Sequence, residues 1–219
     1  MKTNSEIRQD ALSVMSGNWG LAMVASFVLL VIIHGCSIIS TSFGAVVDEE
    51  IGSLGIVGLT LSLITSLFIA FPLRFSAAMN FMQFVRSKRI FYTRELFSIF
   101  SSNYYKTAIS LYFWTNLYTF LWSLLLIVPG IVKGLSYSLA PYILLDNPNL
   151  TTKEAINESM KLMEGHKADL FRIKLGYWCF IAFSSFAFGL PILAIYPYYQ
   201  VVMVKFYEEL RGGRRYAAA

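Results

Sequence analysis

Long apolar segments dominate this chain. Residues 19–40 are almost all apolar, and as an α-helix these 22 residues would be about 33 Å long. Because the hydrocarbon core of a bilayer is about 30 Å thick, the segment predicts a membrane-spanning helix. Further apolar runs cover 51–85, 104–128, 124–148, 168–190 and 192–206. The pattern predicts an all-α fold, a polytopic integral membrane bundle of about six transmembrane helices.

Composition supports this fold class. Hydrophobic residues make up 56% of the 219 residues and charged residues only 14%, more apolar material than a soluble domain of this size can bury. We therefore expect a single integral membrane domain over 1–219. Residues 1–17 are polar and amphipathic, unlike the basic region and apolar stretch that open a cleavable signal peptide. The N-terminus is thus predicted to be retained.

The apolar stretch 124–148 is too long for one span and contains Pro129-Gly130 near its start, followed by Lys133. Proline is tolerated in the first turn of a helix, where its missing N–H would have no partner. We therefore predict a tight hairpin between two spans at Pro129-Gly130. The Lys133 side chain is expected to reach back to the membrane surface.

Three parts of the chain resemble one another. Each combines a short amphipathic segment, a break with small residues and a polar residue that leads into a span; they are residues 12–19, 97–104 and 160–167. A proline follows downstream of each, at Pro72, Pro129 and Pro191. This pattern predicts a threefold repeat of interfacial helix, span, proline turn and return span. The predicted units are about 5–90, 93–147 and 151–210, with a flexible tail at 212–219.

Two short segments are predicted to be amphipathic helices. Thr151 and Glu154 have the spacing of a capping box, and Ile156, Met160 and Met163 then recur on one helical face. Segment 5–16 repeats this pattern with Ile7, Ala11 and Met15. Such helices can lie along the lipid headgroups, or pack as short cytoplasmic helices against the ends of the bundle. The sequence leaves both arrangements open.

The segment 51–72 also allows two interpretations. If Pro72 corresponds to Pro129 and Pro191, the return span begins near residue 72, and 51–71 is an extra, re-entrant element. The alternative is one long tilted helix over about 52–86 that absorbs Pro72 as a kink. We prefer the long helix.

The distribution of charge predicts the orientation. With the N-terminus inside, all but two of the 18 basic residues fall in cytoplasmic segments, and the acidic triplet 48–50 falls outside. The exceptions are Arg74 and Lys133. We therefore expect a multi-pass protein of the cell membrane with both termini cytoplasmic, with 86–103 and 146–167 inside and a linker at 41–51 outside. Basic residues spread along a membrane face do not predict a nucleic-acid partner.

The sequence contains no pattern of catalytic residues. It has no Gly-x-Ser-x-Gly elbow, no P-loop and no carboxylate pair with a recognised spacing. His34 and His166 are far apart, and neither Cys36 nor Cys179 has a Cys or His companion at ligand spacing. We expect no enzyme activity, no metal and no cofactor.

Arg74 is the strongest candidate for a functional residue. On a long helix it lies about 18 Å inward from Arg86, near the middle of the membrane, where the predicted spans offer no carboxylate. It then needs backbone carbonyls, polar side chains or an anionic ligand such as a phosphate headgroup. An arginine that snorkels or joins helices is the alternative, and becomes the better interpretation if the span begins at Pro72. The candidate ligand-binding residues are Arg74, Asn80, Asn116, Tyr137, Tyr198 and Gln200.

Two neighbouring motifs carry a family resemblance. They are PGIVKGLSYSLAPYIL, residues 129–144, and the pattern Glu154-Ala-Ile-x-x-Ser159-x-x-Leu162-Met163-x-Gly165-x-Lys167. Together they resemble the bacterial family catalogued as domain of unknown function nine-seven-five. The resemblance implies a multi-pass bacterial inner-membrane protein and brings no activity with it. A more distant similarity to the membrane domains of some glycerophosphodiester phosphodiesterases favours a lipid-related role.

Three classes of function follow. The first is a non-enzymatic binding or transport module for a small amphipathic or anionic ligand or lipid, because repeated hairpins are common in transporters. The alternative is a membrane scaffold or immunity-type protein that binds a protein partner or membrane lipids. An intramembrane enzyme should cluster acidic, histidine or nucleophilic side chains at one depth, and the sequence shows no such cluster.

Overall fold

The computed structural model describes residues 2–51, 55–87, 93–186 and 191–217, and every regular element in these ranges is helical, which confirms the all-α class. The helices are α1 (Asn4–Met15), α2 (Trp19–Ile51), α3 (Ile56–Thr65), α4 (Phe71–Ser87), α5 (Thr93–Phe97), α6 (Tyr104–Leu125), α7 (Ile127–Tyr137), α8 (Ala140–Asp146), α9 (Thr152–Leu162), α10 (Lys167–Phe186) and α11 (Ile192–Ala217). A π-helical turn, Ser66–Ala70, joins α3 to α4.

Three stretches are long and apolar enough to cross a membrane: Trp19–Val47, Ile56–Ser87 and Ile127–Asp146. Their apolar side chains are not all covered by protein, since Ile39, Leu63 and Ile127 are 69%, 70% and 75% exposed. An apolar surface this large is unfavourable in water and favourable in hydrocarbon. Three of the predicted spans are thus long and apolar enough to cross a membrane.

The first hairpin pairs α2 with α3. A Cβ atom built on Gly44 would lie 2.0 Å from the Cα atom of Gly58, so the two backbones are in direct contact. Small residues allow this close approach between membrane helices. The sequence predicts a linker at 41–51. This prediction is wrong, because α2 continues through these residues alongside α3.

The segment 56–87 is one long helix, so our preferred interpretation is confirmed and the chain does not reverse between Gly58 and Pro72. Just before Pro72 the helix widens into the π-turn, in which the Phe71 N–H bonds to the Ser66 carbonyl oxygen. Pro72 is buried inside the helix rather than at a turn. Its predicted equivalence with Pro129 and Pro191 is therefore wrong.

The second hairpin lies three residues before the predicted position, because the turn is at Leu126 and Pro129-Gly130 lie in the first turn of α7. Leu126 is extended, with φ −160° and ψ 143°, and separates α6 from α7 just before Pro129. The helices approach closely at Gly130, where an added Cβ would lie 2.0 Å from the Ser123 Oγ atom. The Lys133 Nζ atom lies 5.0 Å from the centre of the Trp122 ring, a cation–π distance.

Both short amphipathic helices begin with the same cap. Thr3 with Glu6, and Thr151 with Glu154, form complete capping boxes. Hydrogen bonds from the Thr151 backbone N–H and then from its hydroxyl hold the pKa of the Glu154 carboxyl below its usual range. Each helix is followed by a glycine in the left-handed region, Gly17 or Gly165.

The apolar faces of these short helices are covered by protein. Ile7, Ala11 and Met15 are buried where α1 packs against α11, and Ala155 and Ile156 are buried where α9 packs against α7 and α8. Of the two arrangements that the sequence leaves open, the structure therefore has packing against the bundle.

The break between α7 and α8 is bridged from α9. The Leu139 N–H donates to the Ser159 Oγ atom, 3.2 Å away, and the Ser159 hydroxyl donates to the Ser136 carbonyl oxygen at 2.6 Å. Buried backbone groups at a helix break need such partners. One serine on α9 therefore satisfies the backbone on both sides of the break.

Large side chains are fully buried on several helices, and the largest of them lie on α4 and α11. The fully buried side chains include Phe75, Phe81, Leu139, Phe206 and Tyr207. α11 continues to Ala217, so residues 212–217 are helical where the sequence predicts the start of a flexible tail.

Candidate functional site

A cavity of about 440 Å³ opens between α2, the long helix 56–87 and α6. Apolar side chains form much of its lining, among them Ile33, Leu63, Ile69 and Phe71. The polar lining residues are His34, Ser37, Thr65, Ser66, Arg74 and Asn116. A mostly apolar pocket with a few polar groups is typical of small-molecule binding sites.

Arg74 is the cation of this cavity. It lies in the first turn of α4, directly after the π-turn and Pro72, and its side chain is exposed to the cavity. No lining residue is acidic, and no ion pair joins Arg74 to a carboxylate within the ranges that the structure describes. A guanidinium carries five N–H donors in a planar fork that matches phosphate and carboxylate groups.

Asn116 is placed on the same cavity by α6. Its Nδ2 atom donates to the Tyr112 carbonyl oxygen, 2.6 Å away, which fixes the side chain along the helix. The rest of the amide lies on the cavity surface, where it can donate to or accept from a ligand. The structure thus brings together Arg74 and Asn116, which are far apart in the sequence.

The residues that line the cavity do not form a set of metal ligands. His34 is exposed and Cys36 is a half-buried free thiol. Among the residues that the structure describes, no three His, Cys, Asp or Glu side chains lie together as a metal site would need.

Tyrosines of three other helices lie within electrostatic range of Arg74. Its guanidinium acts electrostatically on the hydroxyl groups of Tyr112 on α6, Tyr177 on α10 and Tyr196 on α11. The Gln200 Nε2 atom donates to the Tyr196 hydroxyl at 2.9 Å. Gln200 is therefore connected to the surroundings of Arg74 through Tyr196.

The other three candidates lie elsewhere. Asn80 is buried and donates to the Ser76 carbonyl oxygen at 2.8 Å and to the Ser76 Oγ atom at 3.3 Å, so its amide is used within α4. Tyr137 is buried on α7, with its ring centre 6.3 Å from that of Tyr118. Tyr198 packs against the core near Arg8 of α1. None of the three lines the cavity.

A second polar cluster joins the ends of α4, α8 and α11. The Asp146 side chain is only 4% exposed, and its carboxylate accepts from Arg86 at 2.6 Å and 3.1 Å and from the Tyr207 hydroxyl at 2.7 Å. Arg211 pairs with the same carboxylate at 2.5 Å, and Arg86 also donates to Glu208 at 3.1 Å. We call these five residues the Asp146 cluster.

The Asp146 cluster was not predicted from the sequence. Its members lie on three separate helices, and no local spacing marks them as partners. Arg86 and Arg211 pair with Asp146 and Glu208, and the Lys205 Nζ atom lies 3.5 Å from Glu208 as well, so ion pairs connect the three helices. The geometry of the cluster serves to hold the helix ends together.

Comparison with known proteins identifies part of the chain. Residues 124–214 match the model of a family described as "Protein of unknown function (DUF975)". This confirms the predicted family for that segment, and the description gives no activity. Tyr196 and Gln200 lie inside the matched segment, whereas Arg74 and Asn116 lie outside it. No curated protein and no solved structure matches the chain.

Proposed function

We propose that this protein is a non-enzymatic membrane module that binds or transports an anionic amphiphile whose charged group is a phosphate, such as a phospholipid. The observation that carries the proposal is the Arg74 guanidinium in a largely apolar cavity that has no acidic lining residue. The cavity thus combines one cation with apolar surface, as an anionic amphiphile requires.

A charge in low-dielectric surroundings needs a partner. An unpaired arginine near the centre of a bilayer costs about 3 kcal/mol or more, so Arg74 gains from any anion that reaches it. Phosphate suits a guanidinium because two parallel N–H···O bonds can form. Asn116 supplies a neutral donor beside it.

The position of the cavity suits a ligand that arrives from the lipid phase. α2 and the long helix 56–87, which form two of its sides, are both among the stretches apolar enough to cross a membrane. Acyl chains can then remain against Ile33, Leu63 and Ile69 while the phosphate contacts Arg74. The ligand would not have to cross an aqueous phase.

Six spans and a threefold repeat are part of this proposal. α6, α10 and α11 contain 22, 20 and 26 residues, each long enough for a bilayer of about 30 Å. The shared capping boxes and left-handed glycines of α1 and α9 support a relation between the first and third units. In this arrangement α4, α8 and α11 return to the cytoplasmic side, where both termini lie.

The test is lipid retention by the purified protein. Wild type and Arg74→Gln would be extracted in a mild detergent, and bound phospholipids quantified by native mass spectrometry. Lys133→Gln is the matched control, because Lys133 is a membrane-level cation that contacts Trp122 instead of the cavity. In a separate measurement inorganic phosphate is added to the purified protein, to distinguish binding of a lipid headgroup from binding of free phosphate.

We expect Arg74→Gln to lower phospholipid retention at least about tenfold, the loss of one charge-assisted contact, with the control unchanged. Equal retention in Arg74→Gln, together with lower thermal stability, would show instead that Arg74 joins helices. Co-purification of one protein in place of lipid would favour the scaffold alternative.

A further inference from the structure

Four tyrosines of α6, α10 and α11 lie outside the set of residues that line the cavity. We call Tyr112, Tyr177, Tyr196 and Tyr199 the inner tyrosine group. The rings of Tyr177 and Tyr199 are stacked, with centres 4.1 Å apart and planes at 20°. The Tyr112 ring lies 5.6 Å from that of Phe71, which lines the cavity beside Arg74. Through Tyr112 and Phe71 the group therefore adjoins the cavity that Arg74 lines.

Three of the four hydroxyl groups of the inner tyrosine group have no hydrogen-bond partner among the residues that the structure describes. Tyr196 accepts from Gln200. Within the ranges that the structure describes, no hydrogen bond is made by the hydroxyls of Tyr112, Tyr177 or Tyr199. All four tyrosines are half-buried, and Ser26 Oγ is the only fully buried side-chain polar atom without a partner in those ranges. The three unpaired hydroxyls are therefore not fully buried.

Unpaired hydroxyls among packed helices are unfavourable unless water or a ligand bonds to them. Tyrosine hydroxyls and the Gln200 amide are neutral groups that both donate and accept. Tyr112, Tyr177 and Tyr196 lie within electrostatic range of the Arg74 cation, and no carboxylate is among the cavity's lining residues. This combination fits a headgroup that continues from its phosphate into hydroxyl groups.

We infer that the inner tyrosine group and Gln200 form a headgroup subsite that binds the hydroxyls of a polyol phosphate ester, such as the glycerol headgroup of a phospholipid. The inference rests on the proposed function, since Arg74 holds the phosphate of the same ligand. It adds a selectivity: the protein prefers a hydroxylated headgroup over a bare phosphate and over a cationic amine.

A cationic headgroup fits less well. Aromatic faces can bind ammonium groups, but Tyr177 and Tyr199 turn a face toward each other. An ammonium bound here would also lie close to the Arg74 guanidinium and be repelled by it. The subsite therefore discriminates by charge as well as by hydrogen bonding.

The experiment compares three lipids with identical acyl chains: phosphatidylglycerol, phosphatidic acid and phosphatidylethanolamine. Binding to the full-length protein in detergent is measured by native mass spectrometry, with soluble glycerol phosphate as an arm that separates a lipid ligand from a free polyol phosphate. Wild type should bind phosphatidylglycerol about fivefold or more tightly than either other lipid. Equal binding of all three, or a preference for phosphatidylethanolamine, would overturn the inference.

Variants of the subsite test which residues cause the preference for phosphatidylglycerol. Tyr199→Phe and Gln200→Leu should each reduce the preference for phosphatidylglycerol about fivefold while leaving phosphatidic acid binding unchanged. Tyr198→Phe is the matched control, because this neighbouring tyrosine lies near Arg8 instead of Arg74. Should Tyr199→Phe and Gln200→Leu both keep the wild-type preference, the subsite is wrong while the Arg74 site stands. Should Arg74→Gln bind all three lipids like wild type, the proposed function itself is wrong.

Discussion

The Tyr105 hydroxyl on α6 donates a hydrogen bond to the Phe68 carbonyl oxygen, 3.1 Å away, in the π-turn of the long helix 56–87. Pro72, four residues after Phe68, has no N–H and cannot bond to that carbonyl as an ordinary helical residue would. A neighbouring helix thus supplies the missing donor. The same contact supports the backbone just before Arg74, at the wall of the cavity.

Removing this donor should destabilise the bundle. Tyr105→Phe leaves the Phe68 carbonyl without its partner, at an expected cost of about 1 kcal/mol in the free energy of unfolding. Tyr104→Phe is the control, because the Tyr104 hydroxyl makes no hydrogen bond among the residues that the structure describes. Thermal unfolding in detergent provides the measurement. Equal shifts for the two variants would show that the Tyr105 hydroxyl does not compensate for Pro72.

The Asp146 cluster should contribute more to the free energy of unfolding than the Tyr105 hydroxyl does. Asp146→Asn removes the carboxylate that both Arg86 and Arg211 contact, and leaves their charges partly unpaired. Since the arginines are partly exposed, we expect a loss of about 2–3 kcal/mol, less than for a fully buried pair. Asp10→Asn breaks an exposed pair with Lys2 and should change stability by no more than about 0.5 kcal/mol. Similar melting temperatures for both variants would contradict a structural role for the cluster.

The second hairpin should be sensitive to a single methyl group. In Gly130→Ala the new Cβ would meet the Ser123 Oγ atom at 2.0 Å and its Cα atom at 2.8 Å, so α6 and α7 must separate. We expect a loss of about 1–3 kcal/mol, as for overpacked cores. Gly35→Ala is the matched helical control, because nothing lies within 4 Å of its added Cβ. If the two variants unfold alike, the close approach of α6 and α7 is not maintained in the membrane.

Local signals in the sequence predicted much of the fold. The Thr151 capping box, the reversal near Pro129 and the continuous helix through Pro72 each depend on neighbouring residues, and the structure confirms each of them. The linker at 41–51 failed because its helical state depends on a distant contact, that of Gly44 with Gly58 on α3.

The site was predictable only in part, for the same reason. Arg74 could be proposed from the sequence because a cation inside a long apolar stretch is unusual, whichever way the helix is turned. Asn80 lies only a few residues away, yet it turns to Ser76 and away from the cavity, which no local pattern shows. The pairing of Arg86 with Asp146 and Glu208 joins residues far apart in the chain, and helical periodicity carries no information about such partners.

Labelling can test the orientation of the long helix 56–87. Single cysteines replace Asp48 or Ser87 in a background that lacks Cys36 and Cys179, and intact cells are treated with an impermeant reagent. The helix between these positions has 32 residues, about 48 Å, so its ends should lie on opposite sides of the membrane. We expect the cysteine at 48 to be labelled from outside and that at 87 only after permeabilisation. Labelling of both from one side would contradict the topology.

Binding of a lipid phosphate by Arg74 can be measured directly as the proximity of the guanidinium nitrogens to phosphorus in a bilayer. Solid-state phosphorus–nitrogen dipolar dephasing is recorded on protein with isotope-labelled arginine, and the Arg74 guanidinium signal is the one that disappears in Arg74→Gln. We expect strong dephasing of that signal in phosphatidylglycerol bilayers, because a phosphate contacts the guanidinium within the cavity. An Arg74 signal without dephasing, in a bilayer where peripheral arginines such as Arg172 do dephase, would contradict this contact.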